Sequence, residues 1–312
     1  LEVAITNFGG ALVSIMTPDN KGNFANIIQG HDKLDDYLNS DQPFLSTLVG
    51  RYANRIAKGR FCLNGKEYHL AINNGENHLH GGPTGFHARV WEAEQINEGF
   101  PGELSTTVMY TLTNDDELVI DYTATTNKKT IVNLTSHGYF SLAGTANPTP
   151  SVEDVICEIN ADYYLPIDKT AIPTGEIRLV EGTPFDFRNA HRIGDHIDED
   201  NEQLKNGNGY DHCFVLQKRE PGELSYAAKV KEPVSGRTME VYTTEPGLQF
   251  YTNNNGSGTK GQHGATFPKR SAVCFEAQHF PDSPNHAYFP PVTLKPGNIY
   301  TQKTIYRFGV EA

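Results

Sequence analysis

Apolar and polar positions alternate with a period of two along most of the chain, and helical spacing is scarce. "RFCLNGKEYHLAI" (60–72) sets Asn64-Gly65 between two alternating runs, which predicts a hairpin closed by a tight turn. "LSTTVMYTLTNDDELVIDYTATT" (104–126) predicts a second hairpin around Asn114-Asp115-Asp116. The run 131–142, "IVNLTSHGYFSL", follows directly, so residues 104–142 read as an antiparallel meander. Further strands are predicted over 155–160, 212–217, 224–231, 238–244, 248–253, 272–277 and 299–308. Spacers such as "AGTANPTPS" (143–151) and "NNNGSGTKGQHG" (253–264) are rich in turn formers. Short helices fit only within 31–39 and 190–205. No internal repeat and no Pro/Ser-rich linker divides the sequence. Strands without alternating helices predict an all-β fold, a large antiparallel β-sandwich with residues 1–312 as one domain.

Composition narrows the partners. The 312 residues carry a net charge of −12, which argues against nucleic acid and against an anionic membrane surface. No apolar run approaches the about 20 residues of a membrane span. Cys62, Cys157, Cys213 and Cys274 are widely spaced without a C-x-x-C pair and read as free thiols, with a disulfide left open. Leu1 already lies in a strand-like run, as if a leader or tag had been trimmed. The expected compartment is the cytoplasm, with periplasm or secretion left open; the expected state is a monomer or a weak homodimer.

Two strands break the pattern. In 131–142 one face holds Leu134, Ser136, Phe140 and Leu142, and the other holds Asn133, Thr135, His137, Tyr139 and Ser141. The second face reads as the wall of a polar pocket, or else as a core histidine satisfied by a neighbour. In "SAVCFEAQHF" (271–280), Glu276 shares a face with Cys274 and Gln278, between Phe275 and Ala277. A carboxylate there is costly to bury unless paired, so Glu276 is either half of a structural salt bridge or a general base.

Other candidates surround these. Asp211 in "NGYDHCFVL" (208–216) either caps a turn or faces a site. Gln249, Tyr251 and Asn253 share a face suited to hydroxyl recognition, or to a solvated edge. His78 and His80 in "NHLHGG" form an H-x-H pair, but no Glu follows until Glu92, and the metal pattern is incomplete. Gly81 and Gly82 would let a ligand approach the backbone. "GRYANRIAKGRF" (50–61) reads as a charged turn from which Asn54 and Arg55 point inward. Phosphate-binding glycine motifs and the G-x-S-x-G elbow are absent.

Together, "NRIAKGRF", "NHLHGG", "NLTSHGYFSLAG", "GYDHCFVL", "EPGLQFYTNN" and "CFEAQHFPDSPNH" with "FPP" resemble the aldose 1-epimerase (galactose mutarotase) family, in its order, from about residue 50 to 300. The resemblance implies the galactose mutarotase-like supersandwich and interconversion of α and β anomers of free aldohexoses such as galactose and glucose. It implies Glu276 as catalytic base and His137 as catalytic acid, no cofactor or metal, and a monosaccharide partner. Asn54, Arg55, His80, Asp211 and Gln249 fall where the family holds the sugar, and Tyr139 or Tyr251 would stack on it. Ser136 and Gly138 stand where relatives often have Asn and Ser, a departure bearing on which sugar fits. Glu276 would take the C1-hydroxyl proton while His137, starting protonated with a pKa near neutrality, gives one to the ring oxygen. The competing expectations are a glycoside hydrolase using Asp211 and Glu276, a silent sugar-binding module, and an epimerase of sugar phosphates.

Overall fold

The computed structural model describes residues 1–91 and 99–311, so Glu92 lies outside the described residues. The two largest sheets are built from twelve strands. They are β1 (Leu104–Leu112), β2 (Glu117–Thr126), β3 (Ile156–Ile159), β4 (Tyr163–Tyr164), β5 (Arg178–Leu179) and β6 (His191–Arg192). After them come β7 (Asp211–Val215), β8 (Ser225–Lys231), β9 (Arg237–Thr243), β10 (Gly247–Tyr251), β11 (Cys274–Gln278) and β12 (Tyr300–Val310). A seven-stranded sheet runs in the order β6-β3-β8-β9-β12-β2-β1, and a five-stranded sheet in the order β5-β4-β7-β10-β11. Pairing is antiparallel throughout both.

The period-two pattern explains the packing. Leu118, Ile120 and Tyr122 of β2 and Val241, Tyr306 and Phe308 of its sheet share one buried cluster with Phe214, Leu248, Phe250, Phe275 and Ala277 of the other. That burial is the main stabilising term, about 25 cal/mol per Å² of apolar surface. The Tyr306 hydroxyl also crosses between sheets to donate to the Phe275 carbonyl at 2.9 Å. Because alternate residues of β7, β10 and β11 face this core, Asp211, Gln249, Tyr251 and Glu276 are turned to the opposite face of the five-stranded sheet.

The hairpin at 60–69 forms, with Asn64 (φ 54°) and Gly65 (φ 74°) supplying the left-handed turn, and so does the hairpin of β1 and β2. The predicted meander does not. The second neighbour of β2 is the C-terminal strand β12, and the stretch 131–142 is not one strand. Thr130–Ile131 pairs with Thr293–Leu294 and Thr135–Ser136 with Leu48–Val49, while Phe140 bridges both Ile28 and Val273. Residues 130–142 are all buried, so this stretch threads the interior and hydrogen-bonds in turn to whatever lies beside it.

Helix is limited to short pieces. Residues 34–38 form one; within 190–205 the α-helix begins only at Glu202, where the Asn201 side chain accepts the Gln203 N–H at 2.8 Å. All four cysteines are free, Cys62 exposed and the others buried. No helix among the described residues is long and apolar enough to cross a membrane.

Candidate active site

On the outer face of the five-stranded sheet the polar residues of β7, β10 and β11 form the floor of a cleft of about 310 Å³. That is near the low end of the ~300–1,000 Å³ typical of small-molecule sites. Asn54, Arg55, His80, His137, Tyr139, Asp211, Tyr251 and Glu276 all line it, and Gln249 lies beneath, hydrogen-bonded to Asp211. A larger cleft of about 970 Å³ lies elsewhere, walled by Phe280, Phe289, Pro290 and Pro291, and contains none of the predicted residues. Chemistry rather than size singles out the smaller one.

Glu276 and His137 meet at its centre, Nε2 lying 3.4 Å from Oε1, with exposures of 5% for His137 and 2% for Glu276. The gap exceeds the ~2.7–2.9 Å of a charge-assisted hydrogen bond. Neither His137 Nδ1 nor Glu276 Oε2 has a hydrogen-bond partner in the protein, and Gln249 Oε1 has none either. Burial, then the neighbouring Asp211 charge, pushes the Glu276 carboxyl well above its usual range, against a smaller lowering effect of Arg55. Burial lowers His137 to about 4, which corrects the sequence expectation of a titration near neutrality. Both shifts favour the form with the carboxyl protonated and the imidazole neutral. Moving that proton from carboxyl to imidazole gives the ion-paired form without changing the net charge.

The surrounding groups are fixed by one another. Asn54 (φ 63°) and His80 (φ 52°) both adopt left-handed backbone and bond reciprocally. The His80 N–H donates to the Asn54 carbonyl, and the Asn54 N–H donates to His80 Nδ1, each at 3.1 Å. This second bond leaves the ring hydrogen of neutral His80 on Nε2, a donor. His80, His137 and Glu276 have the residue types of a metal triad, and one ligand atom from each falls within 4.8 Å of the others. A metal-binding imidazole, however, donates from its second nitrogen, and His80 Nδ1 accepts instead. Burial and the repulsion of His137 and Arg55 keep His80 well below its ordinary value, hence neutral. Asp211 accepts from Gln249 Nε2 at 2.7 Å and sits 3.8 Å from Arg55, whose Nε donates to Asn74 at 3.0 Å.

Several expectations change here. The polar face of 131–142 is not all pocket wall: His137 and Tyr139 reach the cleft, whereas the Ser141 hydroxyl donates to the Ser271 carbonyl at 2.6 Å. Tyr139 lies parallel to His137 at 4.8 Å, so one ring face rests on the imidazole rather than on a sugar. Gly81 (φ +81°) makes room for the protein itself: a Cβ would come within 1.9 Å of the Gly50 carbonyl oxygen. Arg51, read as part of a solvated turn, is buried and donates to the Gly102 carbonyl at 2.9 Å. Sequence reading missed Phe44, whose ring edge meets His80 at 4.7 Å, and Asn74; the distant pairing of loops brings them in, and no local pattern marks them.

A buried carboxyl and imidazole thus meet in a polar cleft ringed by amides and charged groups on the outer face of the five-stranded sheet. Comparison with known proteins gives the family. The family model described as aldose 1-epimerase matches residues 1–307. The galactose mutarotase of Bos taurus is 44% identical, covering 99% of this chain and 92% of that protein. The aldose 1-epimerase of Escherichia coli is 37% identical, over 100% of this chain and 93% of the relative. Among solved structures, an aldose epimerase homologue from C. elegans superposes with TM-score 0.89 at 29% identity, covering 99% of this chain and 96% of that one. Galactose 1-epimerase from Lactobacillus acidophilus gives 0.83 at 29% identity, covering 99% and 91%. The chain belongs to the aldose 1-epimerase family, a family of isomerases.

Proposed function

We propose that this chain interconverts the α and β anomers of free aldohexoses, galactose and glucose among them, with Glu276 and His137 as the acid–base pair. The observation that carries the reading is the buried, incompletely bonded Glu276–His137 contact at 3.4 Å inside a polar cleft. In its ion-paired form Glu276 accepts the C1-hydroxyl proton as the C1–O5 bond breaks, and His137 gives its proton to O5. Rotation about C1–C2 turns the aldehyde face, and closure reverses both transfers. Because both reacting oxygens sit on C1, side chains 3.4 Å apart can serve one oxygen each. A positioned acid or base contributes roughly 10²–10⁴-fold.

The sugar's remaining hydroxyls are matched to the fixed groups. Asp211, positioned by Gln249 beneath it, offers acceptor oxygens, while His80 Nε2 and the Arg55 guanidinium offer donors. We read residues 1–312 as one domain, a reading supported by the core cluster shared between the two large sheets. A glycoside hydrolase would need a second carboxylate free to act, and Asp211 is instead held by Gln249 and Arg55.

The test is polarimetry or NMR on freshly dissolved α-galactose, α-glucose and a panel of other aldoses, with methyl glycosides alongside. The expected outcome is accelerated anomer exchange and no release of reducing sugar. Unaccelerated exchange across the panel, or liberated reducing ends, would overturn the reading.

A further inference from the structure

One buried side chain fastens together the three stretches of chain that carry the acid, the base and the sugar clamp. Asn133 is 0% exposed and does not line the cleft. Its Oδ1 accepts the His279 N–H at 2.9 Å, and its Nδ2 donates to the carbonyls of His279 at 3.2 Å and Ala53 at 3.3 Å. Its main chain closes two more bonds, donating to the Arg51 carbonyl at 3.1 Å and accepting from the Ala53 N–H at 2.7 Å. Each partner adjoins a functional residue. His279 follows the strand that bears Glu276, Ala53 immediately precedes Asn54 and Arg55, and Asn133 itself leads into His137.

An amide that grips the N–H and C=O of one residue does what a neighbouring strand would do. It does so where strand pairing has run out, since β11 ends at Gln278 and the 131–142 stretch is broken into short pairs. Phe140 and Val273 pair main chain to main chain just before that strand, and Asn133 supplies the corresponding bonds just past its end.

We infer that Asn133 is a positioning residue: by clamping Ala53 and His279 it sets the spacing of His137 and Glu276 and seats the Asn54–Arg55 turn against them. The inference rests on the acid–base reading given above. A displacement of about 1 Å at a reacting centre can cost about 10²-fold in rate.

A merely structural amide is available for contrast in the same molecule. Gln203 grips Ile167 in the same two-point way, accepting its N–H at 2.7 Å and donating to its carbonyl at 3.1 Å. It is 4% exposed, and neither residue lines the cleft.

The experiment compares Asn133→Ala, Asn133→Asp and Gln203→Ala by polarimetry on α-galactose, at a temperature where circular dichroism shows each folded. Asn133→Ala is expected to lose about 10²-fold in kcat. Its acidic activity limb should also move up toward the ordinary histidine range, because a looser pair lets water reach His137. Gln203→Ala should lose thermal stability and keep both kcat and the pH profile. Asn133→Asp supplies the conservative rescue: a protonated carboxyl keeps one donor and one acceptor, so activity recovers at acidic pH and falls as the buried group ionises against two carbonyl oxygens.

Wild-type kcat and pH limbs in Asn133→Ala would overturn the inference, as would equal losses in Asn133→Ala and Gln203→Ala. Should Asn133→Ala fail to fold, Asn133→Asp decides alone, and a wild-type, unshifted pH profile there refutes the role. Full activity in Glu276→Gln would instead refute the acid–base reading itself. An inactive Glu276→Gln beside an unimpaired Asn133→Ala refutes only the positioning role.

Discussion

Two Glu–His pairs stand close together in this chain, and they behave in opposite ways. His279 lies 2.5 Å from the carboxylate of Glu245, beside the larger apolar cleft; burial works to lower its pKa, but the charge and hydrogen bond of Glu245 together outweigh it and raise it. That is a satisfied ion pair, holding a proton firmly on the imidazole. His137 and Glu276 are 3.4 Å apart, each with a ring or carboxyl atom lacking a partner, and burial drives the imidazole down and the carboxyl up. The same residue types thus give a strut in one place and an incompletely bonded pair in the other. Distance and completeness of hydrogen bonding make the difference, and an incompletely bonded buried pair is the one poised to bond something else.

The comparison breaks most visibly in the proposed catalytic pair. Glu276→Gln removes the proposed base and is expected to lower kcat by roughly 10²–10⁴-fold while circular dichroism stays native. His137→Gln should fall in the same range, and the double variant only slightly below either single one, since both act on one proton-transfer event. A multiplicative loss measured by polarimetry would show that the two do not act as a unit. The pH–rate profile sharpens this. Below about 4 the pair gains a second proton and no base remains, so activity falls there. At the alkaline end the remaining proton is lost and no acid remains, at a pH set by the raised Glu276. A single limb near 6.5, the unperturbed histidine value, would contradict the opposed shifts of the buried pair.

How much of this was legible in the sequence follows from the physics of each element. Strands with one core face announce themselves by alternation, so β7 to β12 and both hairpins were readable, and with them the facing of Gln249 and Glu276. The 131–142 stretch misled because it is buried on every side; alternation there reports two kinds of interior rather than inside and outside. The same blindness hid the role of Asn133, whose polar side chain looked like pocket wall and is a backbone clamp. The pKa of His137 was beyond reach as well, because desolvation depends on neighbours contributed by other segments, such as Phe44.

Against the proposed catalytic pair, Glu245→Gln should leave kcat within about twofold of wild type and cost about 1–3 kcal/mol of stability, by weakening a charge-assisted bond at a buried carboxylate. Chemical denaturation with activity measured on the folded fraction checks both halves. A large loss of kcat would mean that His279 carries its state through to the cleft.

The smallest effects concern stability against pH, where the two pairs should be told apart by sign. Glu276 has a raised folded pKa, so its contribution is fully present below its unfolded value of 4.5 and is lost as pH rises from there. Replacing it with Gln removes that loss. The variant should therefore gain on wild type as pH increases, by at most about 1.4 kcal/mol per pH unit, and match it near pH 4. His279 is also raised, so the Glu245 pair contributes fully below 6.5 and fades as pH climbs through the folded value. Glu245→Gln should accordingly be weakest relative to wild type in acid and converge on it in alkali. Denaturation midpoints at pH 5 and pH 9 for the two variants separate these trends. Parallel behaviour would mean that burial, not bonding, governs both pairs, and the distinction between strut and incompletely bonded pair would fail.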